Sequence, residues 1–273
     1  MKLLISADIE GISGLVTRQQ ANPGNPEFER FRRIMTQEVN AAIEGALESG
    51  ASSIIVNDSH HFATNILIED LNPAAELISG VPKPFDMMQG IGSDIDAVYF
   101  IGYHAAAGSQ GGILCHTFTD SILEMTMNGM IVGETGFNAA LAGGFNVPVK
   151  LVTGDLAVVN EAKTVLGSVE TVAVKEGIST ISGQCSNPRT AHEKIKIAAA
   201  RALKRDCKPF IVEPPITVSV RFKFPVLADL AMLIPGTKRV DGLAVKWTGE
   251  DIKSVAQTVS AMGVLTAVAS MVP

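Results

Sequence analysis

Three apolar runs in the first half of the chain each end on ionisable side chains: "MKLLI" into "SADIEGISG", "SIIV" into "NDSHH", and "VYFIGY" into "HA". Between the first two, Phe28, Phe31, Met35, Val39, Ile43 and Leu47 recur at helical spacing, and Gly50 terminates the stretch. A strand, a long amphipathic helix and a second strand, Ser53 to Asn57, make a unit whose strands must be parallel and joined by a right-handed crossover. In open parallel sheets ligands collect beyond the carboxyl ends of the strands, so Asp8, Glu10, His60 and His104 are predicted to face one crevice.

Asp8 and Glu10 are the sharpest part of this pattern. If Leu3 to Asp8 is extended and the pleat continues to Glu10, both carboxylates project to one side with Ile9 opposite. Two like charges in one small volume are unfavourable unless a proton, a cation or full solvation offsets the repulsion. A solvated turn is the plain alternative, since Asp and Gly are common where strands end.

Further along, "SILEMTMNGMIVGETGFNAALAGG" reads as a hairpin turning at Asn128-Gly129, followed by a helix opening near Glu134. From Val149 the rhythm continues through "VKLVTGD", "VETVAVKEG", a helix from Pro188 to about Arg205, and "PITVSVRF". A final helix is expected from Glu250 to about Met271, with Ile252, Val255, Val259 and Val264 on its apolar side. Four of the five histidines lie before residue 117. The expected fold is α/β: an N-terminal, mostly parallel sheet flanked by helices, residues 1–147, with the metal-binding chemistry. A smaller α/β part, 148–273, would support or oligomerise, with a soft boundary near Val147.

Composition narrows the partners. A net charge of -6 and a pI near 5.4, with no basic run, exclude nucleic acid and an anionic membrane as partners. Hydrophobic residues reach 47% and charged residues only 18%, against about 25% charged in typical soluble domains, which points to surface buried between subunits. No apolar segment approaches the roughly 18 residues that span a bilayer. Asp8 and Glu10 interrupt "MKLLI" before it reaches the length of a signal peptide. Cys115, Cys185 and Cys207 lack a paired spacing, so neither a disulfide framework nor a CxxC zinc site is expected; the location read from these features is a reducing cytoplasm.

The chemistry-bearing inventory is Asp8, Glu10, His60, His61, His104, His116 and Glu134. Mixed carboxylate and imidazole donors suit zinc, manganese or related divalent ions, and five well-placed ligands suggest two ions sharing a carboxylate. His60 is favoured over His61, because adjacent residues on an extended chain face opposite ways. His104 reads equally as a ligand or as a satisfied core histidine, and Glu134 as a ligand or as a favourable charge in a helix's first turn. His116, in "GGILCHTFTD", follows glycines that could bring the backbone close to a substrate, and fits an acid, a base or an oxyanion donor. Cys115 is read as an inert core residue and His192 as a solvated helix residue. No phosphate-binding glycine fingerprint is present.

The motifs "SADIEGISG", "NDSHH", "IGYHA", "CHTF" and "GETGFNA", in this order and spacing, resemble the DppA-like D-aminopeptidase family of self-compartmentalising metallopeptidases. The resemblance covers most of the chain. It implies two zinc ions per subunit in an α/β fold, and a ring-based homodecamer enclosing a chamber. Carried over residue by residue, Asp8 is the carboxylate shared by both ions, Glu10, His60, His104 and Glu134 complete the two shells, and His116 is catalytic. The implied reaction is removal of the N-terminal residue of short peptides, a D-amino acid such as D-Ala, by a zinc-activated water. The alternatives kept beside it are another two-metal amide or ester hydrolase, and an L-specific aminopeptidase of the same family.

Overall fold

The computed structural model describes residues 1–267. In chain order the elements are β1 (Lys2–Ala7), α1 (Arg18–Ala21), α2 (Phe28–Glu48), β2 (Ser53–Asp58), β3 (Ala75–Ile78), β4 (Ala97–Tyr103), β5 (Ile122–Met127), β6 (Met130–Ile131), α3 (Glu134–Gly143), β7 (Val149–Asp155), α4 (Leu156–Leu166), β8 (Glu170–Ser179), β9 (Ser182–Cys185), α5 (Pro188–Lys204), β10 (Ile216–Phe222), α6 (Pro225–Ala231), β11 (Lys238–Arg239), β12 (Ala244–Gly249) and α7 (Ile252–Ala267). The part of the final helix expected between Ala267 and Met271 lies outside the described residues.

A seven-stranded sheet runs β3-β2-β1-β4-β7-β8-β9. All its pairings are parallel except the β8–β9 hairpin at the edge. The strands progress outward from β1 in one direction and from β4 in the other, so the order reverses between these two. Such a reversal leaves a crevice beyond the carboxyl ends of the central pair, because the connections leave to opposite faces. Helices cover both faces, which is why β4 is buried along its whole length and reads as a continuous apolar run. On one face α2 and α5 pack together over Leu3, Ile5, Tyr99 and Ile101; on the other, α3 and α4 cover Leu4, Val98, Phe100 and Val152.

The predicted face of α2 is buried except at its last position, Leu47, which is exposed near the helix end. On α7, Ile252, Val255 and Val259 are buried while Val264 is exposed. The Asn128-Gly129 hairpin forms as read, both residues at positive φ, and α3 opens at Glu134.

The second sheet, β11-β12-β10-β5-β6, is antiparallel. The expected boundary near Val147 divides neither sheet cleanly. β7 lies beyond it yet pairs with β4, while β5 lies before it and pairs with β10. The two sheets share an apolar cluster, in which Phe100 and Val152 of one and Val218, Val220 and Phe222 of the other join around Phe137 and Leu141 of α3. Burial, not sequence order, sets the partition.

Candidate metal centre

β1 ends at Ala7, one residue earlier than read, and the pleat does not continue to Glu10. The chain turns instead, with Ile12 N–H donating to Ile9 O at 3.2 Å. Asp8 and Glu10 still reach one side, and Ile9 is fully buried in the core. Glycines make the turn possible. Gly11 N–H donates to Gly102 O at 2.8 Å, and a Cβ on Gly11 would lie 1.8 Å from Tyr103 O. Gly102 has φ +73°, and a Cβ there would meet Asp8 O at 2.2 Å. Only at these distances do the carboxyl ends of β1 and β4 bring Asp8 beside His104.

The other side chains arrive from three further segments. Beyond β2, Asp58 accepts from the N–H groups of Asn65 and Ile66 and from Asn65 Nδ2, while Asn65 Nδ2 also donates to His60 O. That loop is thereby pinned with His60 inward; His61, at φ 52°, turns out to solvent. Glu134 is the first residue of α3, and its Oε1 accepts from Phe118 N–H at 2.6 Å, which ties α3 to the loop after His116.

Six residues meet here, none more than 9% exposed: Asp8, Glu10, His60, His104, His116 and Glu134. His60 Nδ1 stands 2.9 Å from Glu10 Oε2 and 3.5 Å from Asp8 Oδ1; His104 Nε2 stands 3.5 Å from Asp8 Oδ2 and 3.2 Å from Glu134 Oε2. The two oxygens of Asp8 thus face different histidines. His116 Nε2 is 3.9 Å from Glu134 Oε1. Each imidazole has its other nitrogen on a backbone carbonyl: His60 Nε2 on Ala21 O (2.9 Å), His104 Nδ1 on Ala105 O (3.0 Å) and His116 Nδ1 on Leu114 O (2.8 Å). Anchoring one ring N–H in this way leaves the other nitrogen free as a metal ligand or proton acceptor.

The electrostatics are those of a cluster built around positive charge. Burial, then the charge of Glu10, pushes the Asp8 carboxyl up to about 7. Burial also opposes ionisation of Glu10, but the His60 charge outweighs it and holds Glu10 well below the usual carboxylate range. Against their own burial, His60 and His104 are held well above the ordinary imidazole value, by Glu10 and by Glu134 respectively. His116 goes the other way, lowered by burial and by the His104 charge. Protons on two histidines thus balance the acids, and a dication can replace them.

The donors fit such an ion. Glu10 Oε2 and His104 Nε2 are enclosed and have no partner with hydrogen-bond geometry, a costly state unless something else satisfies them. Asp8, Glu10 and His104 offer ligand atoms within 4.8 Å of one another, and so do His104, His116 and Glu134. Carboxylate oxygen with imidazole nitrogen suits zinc.

Residues distant in sequence support the site. The ammonium of Lys175, buried in β8, donates to Glu10 O and to Leu15 O (2.6 Å), and Glu38 of α2 accepts from Ser13 N–H at 2.8 Å. The turn carrying Glu10 is thereby held from two sides. His192, read as solvated, is half-buried, with Nε2 enclosed and unpartnered. Cys115 Sγ points to Ser109 O at 3.6 Å.

A mostly parallel sheet with buried carboxylates and imidazoles at the point where strand order reverses defines an α/β protein with a candidate metal centre. Comparison with known proteins narrows the class. A D-aminopeptidase family profile matches residues 1–261. The chain is 38% identical over 265 residues to a D-aminopeptidase of Bacillus subtilis (strain 168), covering 96% of each protein. Its fold matches the solved structure of the zinc-dependent D-aminopeptidase DppA from Bacillus subtilis, described as a self-compartmentalizing protease, with a TM-score of 0.95 and 36% identity over 98% of both chains. The chain belongs to the D-aminopeptidase family and is a metallopeptidase.

Proposed function

We propose that the protein is a zinc aminopeptidase with two ions per subunit, which removes an N-terminal D-residue such as D-Ala from short peptides. The observation that carries the two-ion reading is the divergence of Asp8, Oδ1 towards His60 and Oδ2 towards His104. Asp8, Glu10 and His60 would hold one ion; Asp8, His104 and Glu134 would hold the other. Bound zinc supplies polarisation of the scissile carbonyl and acidification of a water.

The chain's own groups do the rest. With Nδ1–H fixed on Leu114 O and burial disfavouring its charged form, His116 presents Nε2 as a base. Its Nε2 takes a proton during attack and returns it to the leaving amine. Lys175 and Glu38 hold the Glu10 turn, so that the acid does not drift as charge develops. Preference for D-residues is supported by family membership.

The protein would work as a homo-oligomer, a decameric ring being the form the family resemblance implies. Phe224, Val226, Met232 and Leu233, on and beside α6, are exposed, an apolar surface that association would cover. Its three cysteines are free, which favours the cytoplasm, and among the described residues no helix is long and apolar enough to cross a membrane.

The test is release of amine from D-Ala and L-Ala amides by purified, zinc-loaded protein, each beside a chelated control. Chelator-sensitive cleavage of the D form well above the L form is expected. Cleavage of the L form alone reverses the handedness, and cleavage of neither overturns the aminopeptidase.

A further inference from the structure

The centre described above contains acids and imidazoles, yet a short peptide has a second charge, its carboxylate. In a dipeptide this lies one residue, roughly 3.6 Å of extended chain, beyond the scissile carbonyl. Some cation near the centre must therefore meet it or leave it in water.

Two lysines beside the centre are already committed. Lys83 Nζ donates to Asn57 Oδ1 (2.9 Å) and Asp58 O (2.5 Å), and Lys175 Nζ to Glu10 O and Leu15 O. Both are buried. Arg18 differs: it opens α1, the single turn whose last residue, Ala21, holds His60 Nε2 through its carbonyl. From there its guanidinium reaches Asp120, four residues beyond His116 in the loop that also carries Phe118, the donor to Glu134. The Arg18–Asp120 pair therefore spans from the His60 flank of the centre to the His116 flank.

This pair is open to exchange. The side chains are 37% and 58% exposed, and exposed ion pairs contribute only about 0–1 kcal/mol. Of the five N–H donors of a guanidinium, only one from Nη2 has an acceptor among the described residues. Planar, multiply donating and partly free, the group suits bidentate capture of a carboxylate.

We propose that Arg18 receives the free α-carboxylate of the substrate, so that the enzyme selects short peptides with an unblocked C-terminus. The inference rests on the aminopeptidase reading and assigns it a substrate class.

The experiment compares kcat/KM for D-Ala-D-Ala and for its C-terminal amide, using zinc-loaded wild type, Arg18→Gln and Asp120→Asn. Wild type is expected to favour the free acid by about 10- to 100-fold. In Arg18→Gln the acid-to-amide ratio falls towards one, chiefly through KM for the acid, whereas Asp120→Asn keeps or raises the ratio because the guanidinium is released. If the pair is merely a structural latch, both variants change both substrates alike and the ratio stays put. That result, or equal use of acid and amide by wild type, overturns this inference alone. Failure of wild type to cleave either peptide overturns the aminopeptidase reading.

Discussion

The rings of His104 and His116 lie face to face, their centroids 4.0 Å apart and their planes within 10° of parallel. Both present Nε2 towards Glu134, at 3.2 Å and 3.9 Å. A proton on His104 therefore opposes protonation of His116, and a cation held in place of that proton would do the same, which suits the second imidazole to act as a base. His116→Ala is expected to lower kcat by about a hundred- to ten-thousand-fold with zinc content unchanged. Elemental analysis beside the kinetics decides it: loss of zinc would place His116 among the ligands, as its grouping with His104 and Glu134 allows.

Gly11 is where the β1 turn meets the end of β4. Gly11→Ala sets a methyl 1.8 Å from Tyr103 O, so the turn must move. A loss of about 1–3 kcal/mol of stability is expected, together with weaker zinc binding, because Asp8 and Glu10 move with the turn. Thermal unfolding with and without zinc measures both, and an unchanged midpoint would remove this close approach from the account.

Glu38 makes stability depend on pH. Burial raises its pKa from 4.5 to about 7, against the Ser13 hydrogen bond and the Lys175 charge. Between those values the folded state binds more protons than the unfolded one. The contribution is thus fully present below pH 4.5 and is lost as pH rises through 7. Glu38→Gln lacks this dependence, so its stability relative to wild type should improve by about 1–3 kcal/mol from pH 4.5 to 8. Chemical denaturation across that range should show the gap moving upward; a constant gap would mean that Glu38 is ionised throughout.

What the sequence discloses about this centre is local. Asp8, His60 and His104 are legible because each closes an apolar run, and parallel strands with covered faces must put those ends together. Glu134 is visible as the opening of a helix. The pleat argument for Glu10 reaches the right side for a different reason, since a turn admitted by Gly11 and Gly102 replaces the extended strand. Lys175 was hidden because it bonds to a carbonyl 165 positions away, and such contacts leave no periodic trace. The boundary near Val147 likewise rests on a local signal. Thinning histidines mark where the chemistry ends, but β7 is needed to bury the edge of β4 and so belongs to the same sheet.

If the Asp8 carboxylate serves two ions, zinc content per subunit in Asp8→Asn beside Glu134→Gln reports it. Two ions in wild type, one in Glu134→Gln and almost none in folded Asp8→Asn is the predicted series. Retention of one full equivalent in Asp8→Asn would contradict it, because one site would then be complete without the shared acid.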